Sequence, residues 1–275
     1  MEYGLYVADI GAMPSDPRLV CAEKWHTVLP PAPLRAIYFG TEFCEALLPA
    51  AEEAEGFCAW ARGAGVESVL LTPVVTARGL ARCDRLLQAL VQRGCTPEIV
   101  CNDWGVLELL RRAYPDLPRR AGRLMNRGLR DPRLLDGTSR EAVRSRERGG
   151  RFRSMLVQLG VRAIESDPDL DGAFLGAKVA GLQRVLHFPY VFAATGRNCL
   201  IQAESAPSSD ACFTKGLGLP CTGGCRERLR RVERGDVGVS LWRAGNTIFY
   251  EVPMSEALEH LAHADRVVLY ERPTA

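Results

Sequence analysis

A chain of 275 residues, 47% of them hydrophobic, has the apolar content for a full-sized core, which excludes a miniature fold stapled by disulfides. Charged residues make up 25% of it, yet the formal net charge is only +2, so no global field favours nucleic acid or an acidic membrane surface, and any basic contact must be local. The opening "MEYGLYVADIGAMPSDPRLV" lacks a basic start, an apolar run and a small-residue cleavage site, and no stretch reaches about eighteen uninterrupted apolar residues. The expected setting is therefore the cytoplasm, with no transmembrane segment.

The segment around Cys21 reads as irregular. From residue 34 the pattern becomes regular: "LRAIYFGTEF" reads as a strand leading into a turn, and "LLPAAEEAEGFCAWARGAG" carries helical periodicity with a glycine stop. The unit repeats as strand "VESVLLTPVV", helix "ARGLARCDRLLQALVQRG", strand "TPEIVCND" and helix "WGVLELLRRAYPDL". A fourth strand is expected at "AGRLMNRG", followed by a polar, arginine-rich stretch whose core, 134–153, reads as a loop within the domain or a solvated helix. "SMLVQLGVRAIESD" then gives a helix end, a glycine turn and a fifth strand. "LQRVLHFPYVFA", "RNCLIQA" and "ADRVVLYERP" are further strand candidates.

Strands alternating with helices at this spacing argue for βα units and a parallel sheet. Neither GxGxxG nor GxxxxGK[ST] occurs, and no long repeat is visible, so the expected fold is α/β, a single TIM-like (β/α) barrel domain over 1–275, incomplete or distorted if not closed.

In such a barrel the reactive groups stand where strands end. The polar strand ends are Glu42 and Cys44 in "FGTEFCE", Asn102 and Asp103 in "CNDWG", Asn126, Arg127 and Arg130 in "MNRGLRDPR", and Glu165 and Asp167 in "IESD". From these, Glu42, Asp103, Arg127 and Glu165 are the candidate catalytic groups: Arg127 to hold an anionic group, a carboxylate to carry a proton. Asp103 directly precedes "WGVLELL" and is equally suited to cap that helix.

A reduced compartment turns clustered cysteines toward metal or redox chemistry. Of the ten, Cys58, Cys83, Cys95 and Cys101 fall in apolar patterns and read as small hydrophobes. "ACFTKGLGLPCTGGC" is different: Cys212, Cys221 and Cys225 are separated by eight and three residues on backbone rich in glycine. Three thiols leave a tetrahedral set incomplete, and both iron–sulfur clusters and structural zinc normally take four ligands. The fourth comes from Cys44 or Cys199. The wide separation of the set argues against a zinc finger or ribbon and is compatible with a [4Fe–4S] cluster, zinc being the alternative.

"FGTEFC", "VCNDWG", "NRGLRDP", "GVRAIESD" and the late cysteine loop, in that order, resemble the collagenase-like peptidase family U32, especially its short UbiU/UbiV-like members. The resemblance implies Cys44 rather than Cys199 as the early ligand, so that Cys44, Cys212, Cys221 and Cys225 hold an oxygen-sensitive [4Fe–4S] cluster. It further implies oxygen-independent hydroxylation of a quinone precursor or similar small molecule, such as a prenylated aromatic, by a heterodimer with a second U32-family protein and an unidentified electron donor. Hydroxylation of a base in ribosomal or transfer RNA is the alternative, for which "CRERLRRVER" and the 119–153 stretch supply arginines but almost no stacking aromatics. A non-catalytic iron–sulfur or zinc scaffold is a third reading. Peptidase activity finds no support, since no Ser-His-Asp set or HExxH is visible.

Overall fold

The computed structural model describes residues 1–12, 16, 25, 29–126, 128–136, 150–168, 178–199, 201, 221, 223–226 and 228–274. Eight parallel strands close into a barrel: β1 (Glu2–Tyr6), β2 (Leu34–Gly40), β3 (Glu67–Thr72), β4 (Glu98–Cys101), β5 (Arg119–Ala121), β6 (Val161–Ser166), β7 (Gln183–Phe188) and β12 (Arg266–Leu269). Between strands run α1 (Ala51–Gly63), α2 (Ala77–Gln92), α3 (Trp104–Ala113), α4 (Gly150–Gln158) and α5 (Met254–His263). The expected (β/α) barrel is thus present and closed. No described helix is long and apolar enough to cross a membrane.

β1 was not expected, and it closes the ring by pairing with both β2 and β12. It is only five residues long, with a glycine at its centre. Gly4 is there because Tyr38 fills the barrel beside it: a Cβ at Gly4 would stand 2.6 Å from the Tyr38 ring.

Two apolar layers follow from the strand alternation. The larger lies between the barrel and its helices, where stacked Phe39 and Phe57, 4.7 Å apart, join β2 to α1. The smaller fills the barrel itself with Tyr6, Tyr38, Leu71, Val100, Val185, Val268 and their neighbours. Helix starts are locally encoded. Thr76 caps α2 by accepting from the Gly79 amide at 3.1 Å, a bond of the kind that contributes about 1 kcal/mol.

The single expected strand 182–193 is two. The cis Phe188–Pro189 bond separates β7, in the barrel, from β8 (Tyr190–Thr195), which leaves it. With β9 (Leu229–Val232), β10 (Leu241–Ala244) and β11 (Thr247–Glu251), β8 makes an antiparallel sheet ordered β8-β11-β10-β9, an addition to the expected barrel. This sheet docks on the barrel through Phe43, which meets Phe192 of β8 and Phe249 of β11 edge-on at 5.2 and 5.3 Å.

Other boundaries shift for physical reasons. The fourth strand is 119–121 rather than 121–128, because the chain turns after Ala121 and the Met125 amide closes on the Gly122 carbonyl. Of the polar stretch 134–153, residues 137–149 lie outside the described residues, while 132–136 form a 3-10 turn and 150–153 already belong to α4. Arg197–Cys199, in the expected strand "RNCLIQA", lie outside any strand.

Candidate functional site

β2 ends at Gly40, whose φ of +95° and close approach to the Leu71 carbonyl no side chain would tolerate. This turn, held by the Tyr6 hydroxyl donating to the Gly40 carbonyl at 2.9 Å, delivers Glu42, Phe43 and Cys44 to the barrel mouth.

Glu42 points inward and is 3% exposed. It is gripped by Arg123, whose Nε donates to its Oε2 at 3.0 Å and whose Nη2 donates to the same carboxylate. Arg123 Nη1 also donates to Asp167 Oδ1 at 2.7 Å, and Arg130 Nε donates to Asp167 Oδ2 at 2.6 Å. The remaining Arg130 donors reach the carbonyls of Arg123, Asn126 and Gly128. Burial works against the Arg123 charge, but Glu42 and Asp167 hold its pKa well above the ordinary arginine value. Its guanidinium lies 5.3, 5.9 and 5.4 Å from the rings of Phe43, Phe192 and Tyr270, so the small sheet covers it.

Deeper in the barrel a second linked set begins at Glu165, which is fully buried. Arg120 Nε donates to Glu165 Oε1 at 2.6 Å, and Arg120 also pairs with Glu98 at the opposite end of the barrel. His187 Nε2 faces Glu165 Oε2 at 2.9 Å and its Nδ1 faces the Tyr270 hydroxyl at 2.8 Å. Tyr270 in turn donates to Glu42 Oε2 at 3.3 Å, which joins the two sets. Whether the hydroxyl proton serves that bond or the one to His187 depends on the ring. A neutral His187 that donates to Glu165 accepts the Tyr270 proton, whereas a doubly protonated ring frees Tyr270 to donate to Glu42. Burial, and then the charge on Glu42, push the Tyr270 hydroxyl well above its ordinary value.

Two of the four candidate catalytic residues, Glu42 and Glu165, therefore come together inside the barrel, each bound to an arginine. Asp103 does not join them. It caps α3, its Oδ1 accepting from the Gly105 amide at 2.6 Å, while Oδ2 accepts from the Val75 amide at 3.4 Å. Arg127 lies outside the described residues. Asn102 braces the turn that presents Arg123, donating to the Thr72 carbonyl and accepting from the Leu124 amide, both at 2.9 Å. Asn126 donates to the Ser166 hydroxyl at 2.6 Å.

Cys44 begins a 3-10 turn on the rim of the mouth and is partly exposed. Burial raises its thiol pKa, the amides of Ala46 and Leu47 pull it back, and charge on Cys221 and Cys199 pushes it up again. The turn is locked from α2, where Arg82 donates to the carbonyls of Glu45, Ala46 and Leu48, and where Glu45 accepts from the Thr76 amide at 2.6 Å. Burial pushes the Cys225 thiol up to about 11, and charge on Cys44, Cys199 and Cys221 adds to that. Four cysteines thus share one neighbourhood, three of them partly exposed and Cys221 fully so. Cys212 lies outside the described residues, and among the described residues no three His, Cys, Asp or Glu groups are drawn together closely enough to hold a metal ion. The donor chemistry is nevertheless all sulfur, which suits iron–sulfur clusters or zinc and not hard cations. The buried cysteines elsewhere, Cys58, Cys83, Cys95 and Cys101, are core residues as expected.

The residues that sequence reasoning missed are Arg120, Arg123 and His187. The two arginines precede or open the stretch read as a strand, and His187 lies inside "LQRVLHFPYVFA", which read only as a strand.

No protein-family model and no curated protein matches the chain. Among solved structures it is similar to the U32 peptidase Mk0906, at 14% identity over 100% of this chain and 94% of that one, with a TM-score of 0.46. It is also similar to a glycoside hydrolase family 18 N-acetylglucosaminidase from Paenibacillus barengoltzii, at 9% identity over 98% and 95% of the two chains, with a TM-score of 0.41. A class V chitinase from Nicotiana tobaccum gives 9% identity, coverage of 98% and 93%, and a TM-score of 0.38. At these values none of them bears on the chemistry.

Proposed function

We propose that the chain is an iron–sulfur protein in which Cys44, Cys212, Cys221 and Cys225 hold a [4Fe–4S] cluster at the barrel mouth. In this reading it serves oxygen-independent hydroxylation of a quinone precursor or similar small molecule, together with a second U32-family protein. The observation that carries the reading is that Cys44, from the end of β2, lies within electrostatic reach of Cys221 and Cys225, from far along the chain. Distant thiols gathered this way fit a shared centre better than two local knuckles.

A cluster there would supply one-electron transfer. The protein's own residues would do the rest: Arg123 orients Glu42, and the His187–Tyr270 pair offers Glu42 a hydrogen-bonded route for a proton. Because the described donors of Arg123 and Arg130 are committed to carboxylates and carbonyls, recognition of an anionic substrate would fall to other groups, Arg127 among them.

Purification without oxygen tests the reading. The expected product is brown, with about four iron and four sulfide per chain, and bleaches in air. Colourless protein with stoichiometric zinc, or with no metal, would overturn it. The RNA reading has the exposed arginines of β9 beside Cys225 in its favour. Modified-base analysis of RNA from a deletion strain decides that question.

A further inference from the structure

One side chain ties the segment before Cys44 to the small sheet, whose edge strand β9 begins just after Cys225. Asn246 sits in the two-residue turn between β10 and β11, where Ala244 pairs with Thr247 and Gly245 has φ of +57°. A hairpin turn with glycine first accepts many polar residues second, and none of them needs to be buried. Asn246 is 7% exposed. Its Nδ2 donates to the Phe43 carbonyl at 2.7 Å, immediately before Cys44, and also to the carbonyl of Gly196, just beyond β8 on the way to Cys199. The Gly196 amide returns a bond to the Asn246 carbonyl at 3.2 Å, and Asn246 Oδ1 accepts from the Thr247 hydroxyl at 3.2 Å. An amide nitrogen has two hydrogens, and both are used across the junction of barrel and sheet.

We propose that Asn246 is a positioning residue that clamps the Cys44 segment to the end of β8 and so holds the early thiol in register with the late ones. The proposal rests on the reading of those thiols as metal ligands. In the metal-free protein a set drawn from segments so far apart in sequence has a fixed geometry only where protein contacts align it, and Arg82 anchors Cys44 only to α2, on the barrel side. Asn246 supplies the link to the sheet side.

The test uses metal-free full-length protein and iodoacetamide at one pH, with labelling of each cysteine followed by peptide mass spectrometry. Asn246→Ala should speed labelling of Cys44 about tenfold, since roughly two hydrogen bonds that keep the segment closed are lost, while buried Cys58 stays at its wild-type rate. Asn246→Asp places an acceptor-only carboxylate against two carbonyl oxygens and should do at least as much. Asn246→Ser keeps one donor, serves if the others fail to fold, and should fall between. Thr195→Val, which removes the neighbouring Thr195–Thr247 bond without touching Phe43, should leave Cys44 unchanged. Equal acceleration at Cys44 and Cys58, or none at Cys44, overturns the clamp.

A second arm follows iron loss in air from anaerobically purified protein, where Asn246→Ala should shorten the half-life about as much as it speeds labelling. Faster labelling with an unchanged half-life overturns the link to metal. Wild-type protein that contains no iron overturns the proposed function, and the labelling arm still decides the clamp.

Discussion

Arg123 and Asp167 face each other at 2.7 Å with side chains 1% and 0% exposed, and each has a second ionic partner, Glu42 for the arginine and Arg130 for the aspartate. Such a set resists removal of any one member, because a buried charge left alone is far more costly than the intact pair is favourable. Arg123→Met should destabilise the protein by about 3–5 kcal/mol, read as a lowered denaturation midpoint. Arg123→Lys should also lose stability, since an ammonium cannot grip Glu42 and reach Asp167 with the same planar fork. If Arg123→Met melts like the wild type, the set is not what holds the mouth.

Asp103 has a structural role sufficient to explain its place in the sequence. Asparagine caps a helix about as well as aspartate, so Asp103→Asn should lie within about 0.5 kcal/mol of the wild type, and Asp103→Ala should cost about 1–2 kcal/mol. Complementation of a deletion strain by Asp103→Asn removes the residue from the catalytic set. Loss of complementation with unchanged iron content and melting temperature restores it.

The barrel was legible because β2, β3 and β4 are apolar runs punctuated by helices with glycine or proline stops, and because Asn102 and Asp103 mark the end of β4 by chemistry as well as by pattern. What was not legible is where a strand is too short to show a period. β5 has three residues, two of them arginines, and in isolation "RR" reads as surface. Only closure of the barrel turns Arg120 inward onto Glu165, and only the turn after Ala121 swings Arg123 over the mouth. The small sheet was hidden for a related reason: β9 is an exposed edge strand with no buried face to imprint alternation, and β8 runs straight on from β7 through Pro189. Spacing named both Cys44 and Cys199 as partners for the late cysteines and could not choose between them.

Acid should dissolve the deeper ionic set. Burial alone raises the Glu165 carboxyl, and the charge of Arg120 and then the hydrogen bond from His187 more than reverse this, holding it below its ordinary value of 4.5. A group depressed in the folded state contributes stability that is complete above its unfolded value and is lost as pH falls through the folded one. The contribution should therefore be constant from pH 7 to about 5 and decline below. Because other acids titrate in the same range, the readout is the difference in melting temperature between the wild type and Glu165→Gln. It should be largest near neutrality and shrink as the pH drops below about 4. A gap that stays constant to pH 3 would mean that Glu165 is not charged in the folded protein.

The ligand assignment is open to a direct test. Cys44 lies in a turn fixed by Arg82 on one side and by Asn246 on the other. Cys199 also neighbours Cys44 and Cys225, so proximity alone does not choose between them. The proposed assignment takes Cys44. Cys44→Ala, Cys212→Ala, Cys221→Ala and Cys225→Ala should each lose most of the iron from anaerobically purified protein, because an iron left with an open position is labile, while Cys199→Ala should keep it. Cys58→Ala and Cys83→Ala, which only hollow the helix layer, should keep the iron and cost on the order of 1 kcal/mol. Retention by Cys44→Ala together with loss by Cys199→Ala would exchange the fourth ligand and leave the site at the same edge of the barrel. Retention by both would move the fourth ligand away from the end of β2 altogether.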